Sequence, residues 1–318
     1  MGNNNSNTNV NPNIGQLTYP LSSFKQIKSF DIQKSSYQIN DYVIPLIDGR
    51  IVFSSSNKIA IWNILKQKKD IIIPNNGIRK IAQLDNGKLV MVNRNYLLIV
   101  GITKKEYKIE HTIKLTFEDM ANKYVTSILK MNDNKFLLDF NKSFFQIWKA
   151  DNSYEVLFTS PMWEKTDIII HFLKKNNIIL IGYKNSCLYE LWSPNTYQLI
   201  TSLVMDFYTT SVFLELDDKG RVLFEGINSI YIVNIIQGKI LQMFYYKRLD
   251  YNNCYLPLSE GNILIGLREG NICTYDINKN TIVDARTISR WKVQFMSFID
   301  DDKILIYANP TGCIWKYK

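Results

Sequence analysis

The stretch that decides the fold runs from residue 44 to residue 62 and reads IPLIDGRIVFSSSNKIAIW. It contains an apolar segment, a polar turn at Asp48-Gly49, a second apolar segment, a polar loop, and a third apolar segment that ends in Trp62. Asp-Gly accepts the positive φ of a tight hairpin, and short apolar segments bounded by such turns are typical of strands. The stretch therefore predicts three antiparallel β-strands.

The same unit recurs along the chain. Its turns fall at Asp48-Gly49, Asn86-Gly87, Asp133-Asn134, Asn176-Asn177, Lys219-Gly220, Glu260-Gly261 and Asp301-Asp302. Its third segments close at Trp62, Val100, Trp148, Trp192, Val233, Tyr275 and Trp315. A fourth apolar segment follows, as at 70–73, 155–158, 239–243 and 281–283. Four strands repeated with a period of about 42 residues predict an all-β, seven-bladed β-propeller with four-stranded antiparallel blades.

The two ends of the repeat array complete each other. Little sequence follows Trp315, so the seventh unit lacks a fourth strand of its own. The segment 24–30 precedes the first unit and is predicted to supply that strand, which closes the ring without leaving an open edge. We therefore expect a propeller over 23–318, preceded by a disordered, Asn-rich tail over 1–22 that has no charge and little apolar content.

The tail carries a candidate lipidation site. Residues 1–6, MGNNNS, match the pattern M-G-x-x-x-[ST], which predicts N-myristoylation of Gly2; a chance match in a Ser/Asn-rich tract is the alternative. One acyl chain binds membranes only marginally, so a second signal is needed. Lysines at the predicted turns before the outer strands of two adjacent blades are candidates for a membrane-facing basic rim, with solvated turns as the alternative: Lys66, Lys68, Lys69, Lys104 and Lys105.

Composition excludes several classes of protein. The chain has 318 residues, 46% of them hydrophobic, which suffices for a large core. No apolar run approaches the roughly 18 residues of a membrane-spanning helix, and no signal peptide is expected. The net charge is +9, yet no loop concentrates basic and aromatic residues in series, so no nucleic-acid partner is expected. The four cysteines lie far apart in sequence, which favours a reducing, cytoplasmic environment.

No catalytic constellation is evident. The sequence has no nucleophile elbow, phosphate-binding loop or zinc-protease motif, and its acidic residues are mostly at predicted turns. The two histidines, His111 and His171, fall in predicted strands, where a structural role is the simplest interpretation. We therefore predict no catalytic residue, no metal, no cofactor and no small-molecule substrate.

The loops between blades offer a candidate protein-binding face. Large aromatic and arginine side chains recur there at about the blade period, and these residue types dominate binding hot spots. The alternative is that each aromatic packs beneath its own loop. The candidates are Trp163, Phe207, Tyr208, Arg248, Tyr251, Arg290 and Trp291.

The repeat resembles that of the WD40 family. The resemblance lies in the period, the hairpins, and the motifs Ile61-Trp62-Asn63, Ile147-Trp148-Lys149, Leu191-Trp192-Ser193 and Ile314-Trp315-Lys316. Neither His111 nor His171 has the spacing of the family's Gly-His pair, so the blades are expected to rely on apolar packing. The resemblance implies a non-enzymatic scaffold that binds protein partners. A propeller that binds anionic lipid and a propeller enzyme are the alternatives.

Overall fold

The computed structural model describes residues 24–31, 42–55, 58–64, 66, 68–93, 96–115, 124–141, 143–163, 168–183, 186–207, 209–226, 229–245, 254–258, 261–267, 269–300, 303–308 and 311–317. These residues form seven four-stranded antiparallel sheets and no α-helix, which confirms the predicted all-β, seven-bladed fold. The predicted tail with Gly2 lies outside the described residues, as do Tyr208, Arg248 and Tyr251.

The strands follow one another blade by blade. The N-terminal strand β1 covers Phe24–Asp31. Blade 1 holds β2 Tyr42–Pro45, β3 Ile51–Ser54, β4 Lys58–Asn63 and β5 Lys68–Pro74. Blade 2 holds β6 Lys80–Gln83, β7 Leu89–Val92, β8 Tyr96–Ile102 and β9 Tyr107–Lys114. Blade 3 holds β10 Val125–Lys130, β11 Lys135–Phe140, β12 Phe144–Lys149 and β13 Val156–Thr159. Blade 4 holds β14 Ile168–Leu173, β15 Ile178–Tyr183, β16 Leu188–Trp192 and β17 Leu199–Val204.

The last three blades follow the same plan. Blade 5 holds β18 Thr209–Glu215, β19 Arg221–Gly226, β20 Ser229–Asn234 and β21 Lys239–Tyr245. Blade 6 holds β22 Cys254–Pro257, β23 Asn262–Gly266, β24 Asn271–Asp276 and β25 Thr281–Thr287. Blade 7 holds β26 Phe295–Asp300, β27 Lys303–Ala308 and β28 Thr311–Tyr317, and β1 pairs antiparallel with β28 as its fourth strand.

The first strand of each blade is the innermost, and it contacts the first strands of both neighbouring blades. Turns between first and second strands, and between third and outer strands, lie on one face of the ring, which we call the lower face. Turns between second and third strands, and the connectors between blades, lie on the opposite, upper face. Since hairpins alternate direction, every blade presents the same kind of turn to the same face.

Apolar packing joins the blades. Each of the seven junctions between neighbouring blades has its own cluster of buried side chains. At the junction of blades 7 and 1, Phe53 packs against Tyr307, with their ring centroids 6.1 Å apart. The indole nitrogens of Trp148 and Trp192 donate to the side chains two residues earlier, Gln146 and Glu190, at 3.2 and 2.8 Å. Burial of apolar area is therefore the main term that holds the ring together.

The closing residues share one geometry in all seven blades. Each pairs with an apolar residue at the start of the second strand, as Trp62 does with Ile51 and Trp315 with Ile304. A β-bulge lies opposite each closing residue, and one extra residue is inserted in the outer strand. The extra residues are Ile27, Asp70, Glu110, Leu157, Ile200, Leu241 and Val283. Because a bulge increases local twist, the repeat builds the same curvature into every blade edge.

At six of the seven predicted hairpin dipeptides the second residue has the positive φ expected of it, and the seventh, Asp301-Asp302, lies outside the described residues. Gly49 has φ 78°, and Asp133 and Asn134 have φ 57° and 52°. One detail of the prediction is wrong: Lys68 and Lys69 belong to the outer strand β5 rather than to the turn before it. Ladder pairing with Asn63 and Trp62 extends the strand to these two lysines.

Candidate functional site

Trp291, on the upper face, is the most exposed aromatic side chain among the described residues. Trp291 lies in the connector between blades 6 and 7 and is 60% exposed. Backbone hydrogen bonds hold this connector against the turn between β23 and β24: the Ile288 and Ser289 amides donate to the Gly270 carbonyl at 2.9 and 3.2 Å, and the Val293 amide donates to the Leu267 carbonyl at 3.1 Å. The exposed indole is therefore mounted on a fixed backbone.

Gly270 makes this close approach possible. Its φ is 74°, in the left-handed region. A Cβ at this position would lie 2.2 Å from the Ser289 carbonyl oxygen and 2.8 Å from that of Trp291. Only glycine fits both the conformation and the space. The turn and the connector that carries Trp291 thus form one packed unit.

Two other residues predicted to bind a partner, Trp163 and Phe207, pack against neighbouring side chains of the propeller rather than projecting from its face. Trp163 is half-buried at the junction of blades 3 and 4, stacked on Phe145 at 6.1 Å and edge-on to Trp192 at 6.4 Å. Phe207 is 4% exposed and stacks on Tyr231 at 3.8 Å. Phe207 is buried and Trp163 is only partly exposed, whereas Arg290 is exposed next to Trp291. Of the described candidates, Arg290 and Trp291 are therefore the pair available to a partner.

The predicted basic rim lies on the lower face, at its outer edge. Lys66 and Lys68 of blade 1 and Lys104 and Lys105 of blade 2 are exposed. Lys69 is partly buried with its ammonium 5.4 Å from the Trp62 ring centroid, and burial, followed by the charge of Lys58, lowers its pKa.

The first turn of blade 1 is tied to the basic turn of blade 2. Arg50 of blade 1 donates from Nη1 to the Thr103 carbonyl of blade 2 at 2.8 Å. The chain enters β1 at the lower-face end of blade 7, next to blade 1, where Phe24 pairs with Tyr317. The entry of the chain into the ring and the exposed lysines therefore share one face and neighbouring blades.

A cavity of about 270 Å³ opens on the lower face between blades 5 and 6. Two cationic side chains, Lys175 and Arg221, line it together with apolar residues of both blades. Sequence analysis did not predict this cavity, because it depends on how turns from three blades meet. A basic residue directly after a polar turn was the single local signal.

Nucleophiles and metal ligands are sparse. The residues that the structure describes contain no group of three or more His, Cys, Asp or Glu side chains that could hold a metal ion. Burial raises the pKa of the Cys254 and Cys273 thiols to about 12, and that of Cys313 to about 11. Burial also lowers the pKa of His171 to about 4. These groups are therefore held in their neutral forms near pH 7.

Across the described ranges, no helix has the length and apolar character needed to cross a bilayer. No model of a known protein family matches the chain, and no curated protein matches it either. The fold and its surfaces thus define the class, a seven-bladed β-propeller, and propellers carry many unrelated activities.

Proposed function

We propose that this protein is a non-enzymatic interaction scaffold of the WD40-like propeller type, which binds a protein partner on its upper face. The observation that carries the proposal is Trp291, a 60% exposed tryptophan on a connector fixed by backbone hydrogen bonds. Tryptophan and arginine are the residue types most enriched in binding hot spots. A rigid mounting also reduces the entropy lost on association.

The charge around Trp291 suggests the chemistry of the partner. Arg290, next to Trp291 in sequence, is exposed, so the connector combines an apolar indole with a positive charge. A complementary partner carries an apolar or aromatic side chain next to an acidic residue, because opposite potentials steer encounter and favour the correct orientation.

A pair of alanine variants tests this proposal. Trp291→Ala is compared with Ile236→Ala, since Ile236 is 62% exposed but lies on the lower face. Partners recovered from cells by the wild type should be lost with Trp291→Ala and kept with Ile236→Ala. Recovery of the same partners with both variants would refute the assignment of the upper face.

The non-enzymatic character and the WD40 likeness are part of the same proposal. In support, the closing tryptophans recur at the same register of their blades, and the described residues hold no group of three or more His, Cys, Asp or Glu side chains that could bind a metal ion. The predicted cytoplasmic location belongs here as well.

We propose peripheral membrane association as a second function, favoured by one observation. The chain enters the ring on the lower face beside the exposed lysines of blades 1 and 2. An acyl chain on Gly2 would therefore approach the membrane from the same side as these lysines. Each lysine near an anionic surface contributes about 1 kcal/mol, enough to supplement a single myristoyl chain.

Flotation with liposomes that contain anionic lipid tests this second function. The double variant Lys104→Gln/Lys105→Gln should float less than the wild type. The control, Lys174→Gln/Lys219→Gln, removes the same charge from exposed lower-face lysines of blades 4 and 5 and should float normally. Gly2→Ala should abolish flotation of protein made with the acylating enzyme. Equal flotation of all four proteins would argue against membrane association.

A further inference from the structure

The lower-face cavity between blades 5 and 6 has an arrangement suited to a ligand. Its walls come from the first turns of blades 5 and 6 and from the turn before the outer strand of blade 6, with Lys175 reaching in from the first turn of blade 4. The apolar part of the lining consists of Leu216, Pro257, Leu258 and Ile277. The polar part consists of Lys175, Asp217, Arg221 and Asn262.

Arg221 is oriented but only partly used. Its Nε donates to the carboxylate of Asp217. The same carboxylate accepts the backbone amides of Lys219 and Arg221 at 2.9 and 3.1 Å, so it is held firmly. The terminal Nη groups of Arg221 have no hydrogen bond or ion pair within the described part of the chain. The planar guanidinium is therefore fixed at one edge while its outer edge remains available.

Lys175 brings a second positive charge to the cavity. Its Nζ donates to the Leu216 carbonyl at 3.0 Å, across the junction of blades 4 and 5. The turn that carries it is fixed by Glu215, whose carboxylate accepts the backbone amides of Lys175 and Asn176 at 2.8 and 2.9 Å. Both cations are thus positioned by contacts that leave donors unused.

The repeat provides an internal comparison for Arg221. Arg50 holds the same position in blade 1, one residue before the partner of the closing residue. Its Nε and Nη2 contact Asp48 at 2.8 and 2.7 Å, and its Nη1 donates to the Thr103 carbonyl of the next blade. The Arg50 side chain is 7% exposed, against 31% for Arg221. The Arg50 guanidinium is therefore hydrogen-bonded to a carbonyl of the next blade, whereas the Arg221 guanidinium has no such bond within the described residues.

A glutamine explains part of the difference. In blade 6, the turn between the third and outer strands corresponds to the turn that holds Thr103 in blade 2. Its Ile277 carbonyl accepts a hydrogen bond from Gln242 Nε2 at 2.7 Å. This contact joins blades 5 and 6 without involving Arg221, whose guanidinium lines the cavity instead. The same arginine serves as a blade-to-blade link in blade 1 and as part of a cavity wall in blade 5.

We propose that this cavity binds an anionic group, a carboxylate or a phosphate, carried by a compact apolar body. The outer edge of the Arg221 guanidinium matches such an anion with two parallel hydrogen bonds, and Lys175 supplies the second charge. The apolar residues of blades 5 and 6 contact the body of the ligand. The site lies on the face opposite Trp291 and does not depend on partner binding there.

Calorimetric titration with matched probes tests the site. N-acetyl-leucine should bind saturably, and N-acetyl-leucinamide, which lacks the carboxylate, should not. Phenyl phosphate against inorganic phosphate separates the contribution of the apolar body from that of the anion. A short peptide with a C-terminal leucine, free or amidated, distinguishes a peptide terminus from a free acid as the natural source.

Variants assign the binding to the two cations. Arg221→Gln should weaken the best anion by about tenfold or more, since a charge-assisted pair typically contributes at least the 1.4 kcal/mol that a factor of ten represents. Lys175→Gln should weaken it as well, and it keeps the Asp217–Arg221 pair that stabilises the turn. Lys114→Gln, at an exposed position of blade 2, removes one charge elsewhere and should bind as the wild type does. Absence of saturable anion binding, or equal binding by all the variants, would overturn the proposal.

Discussion

Replacing Gly270 with alanine should damage the connector that carries Trp291. The φ of 74° is strained for any residue with a Cβ, which costs about 1–2 kcal/mol. The new Cβ would also collide with the Ser289 carbonyl oxygen, 2.2 Å away, so the connector must move. The matched control is Gly77→Ala, because Gly77 has φ 78° and nothing within 4 Å of its added Cβ.

The difference between the two variants measures the collision alone. Moving the connector breaks its backbone bonds from Ile288, Ser289 and Val293, each with a net contribution of about 0.5–1.5 kcal/mol. Gly270→Ala should therefore lose about 2–4 kcal/mol more than Gly77→Ala, which should lose only the strain. Urea unfolding, with the free energy extrapolated to water, compares the two variants with the wild type. Equal losses would refute the claim that turn and connector form one packed unit.

Three further outcomes are expected. Trp315 is 1% exposed, so Trp315→Ala should lower the free energy of unfolding by about 3–5 kcal/mol, whereas Trp291→Ala should change it by less than about 0.5 kcal/mol. Similar losses in the two variants would contradict the assignment of Trp315 to the core and Trp291 to the surface. Iodoacetamide at about pH 8 should modify Cys187 in the native protein. It should spare Cys254, Cys273 and Cys313, because their raised pKa values keep them as unreactive thiols. Peptide mapping that finds those three cysteines modified would contradict their burial. The pKa of His171 is lowered to about 4 in the folded protein, against 6.5 in the unfolded chain. Between pH 6.5 and pH 4 the unfolded chain therefore binds more protons, and the free energy of unfolding should fall by up to about 3 kcal/mol across this range. His171→Phe should remove that part of the pH dependence of stability.

The architecture was predictable because its signals are local. A dipeptide such as Asn86-Gly87 specifies a hairpin whatever surrounds it, and a closing residue at regular intervals fixes the number of blades. The position of Lys68 and Lys69 was missed, since ladder pairing with β4 rather than composition decides where β5 begins.

The candidate site was less predictable because exposure depends on packing between blades. Trp163 and Trp291 look alike in sequence, since both follow an outer strand. Three aromatic rings of blades 3 and 4 cover Trp163, whereas the connector of Trp291 is held by its backbone and leaves the indole outside. The exposure of Arg50 and Arg221 differs for the same reason. A carbonyl from the next blade accepts a hydrogen bond from Arg50, and no described carbonyl does so for Arg221.

The pairing of β1 with β28 also bears on how the chain folds during synthesis. These strands are separated by nearly the whole sequence, so β1, the first strand of the ring to be synthesised, waits for β28 before its hydrogen bonds can form. Closing a loop of that length is entropically unfavourable and tends to slow folding. Blades 1 to 6 can assemble earlier from neighbouring hairpins. Until β28 emerges, the apolar faces that meet at the junctions of blade 7 stay exposed, and that interval is when a nascent ring is most open to aggregation or to assistance by chaperones.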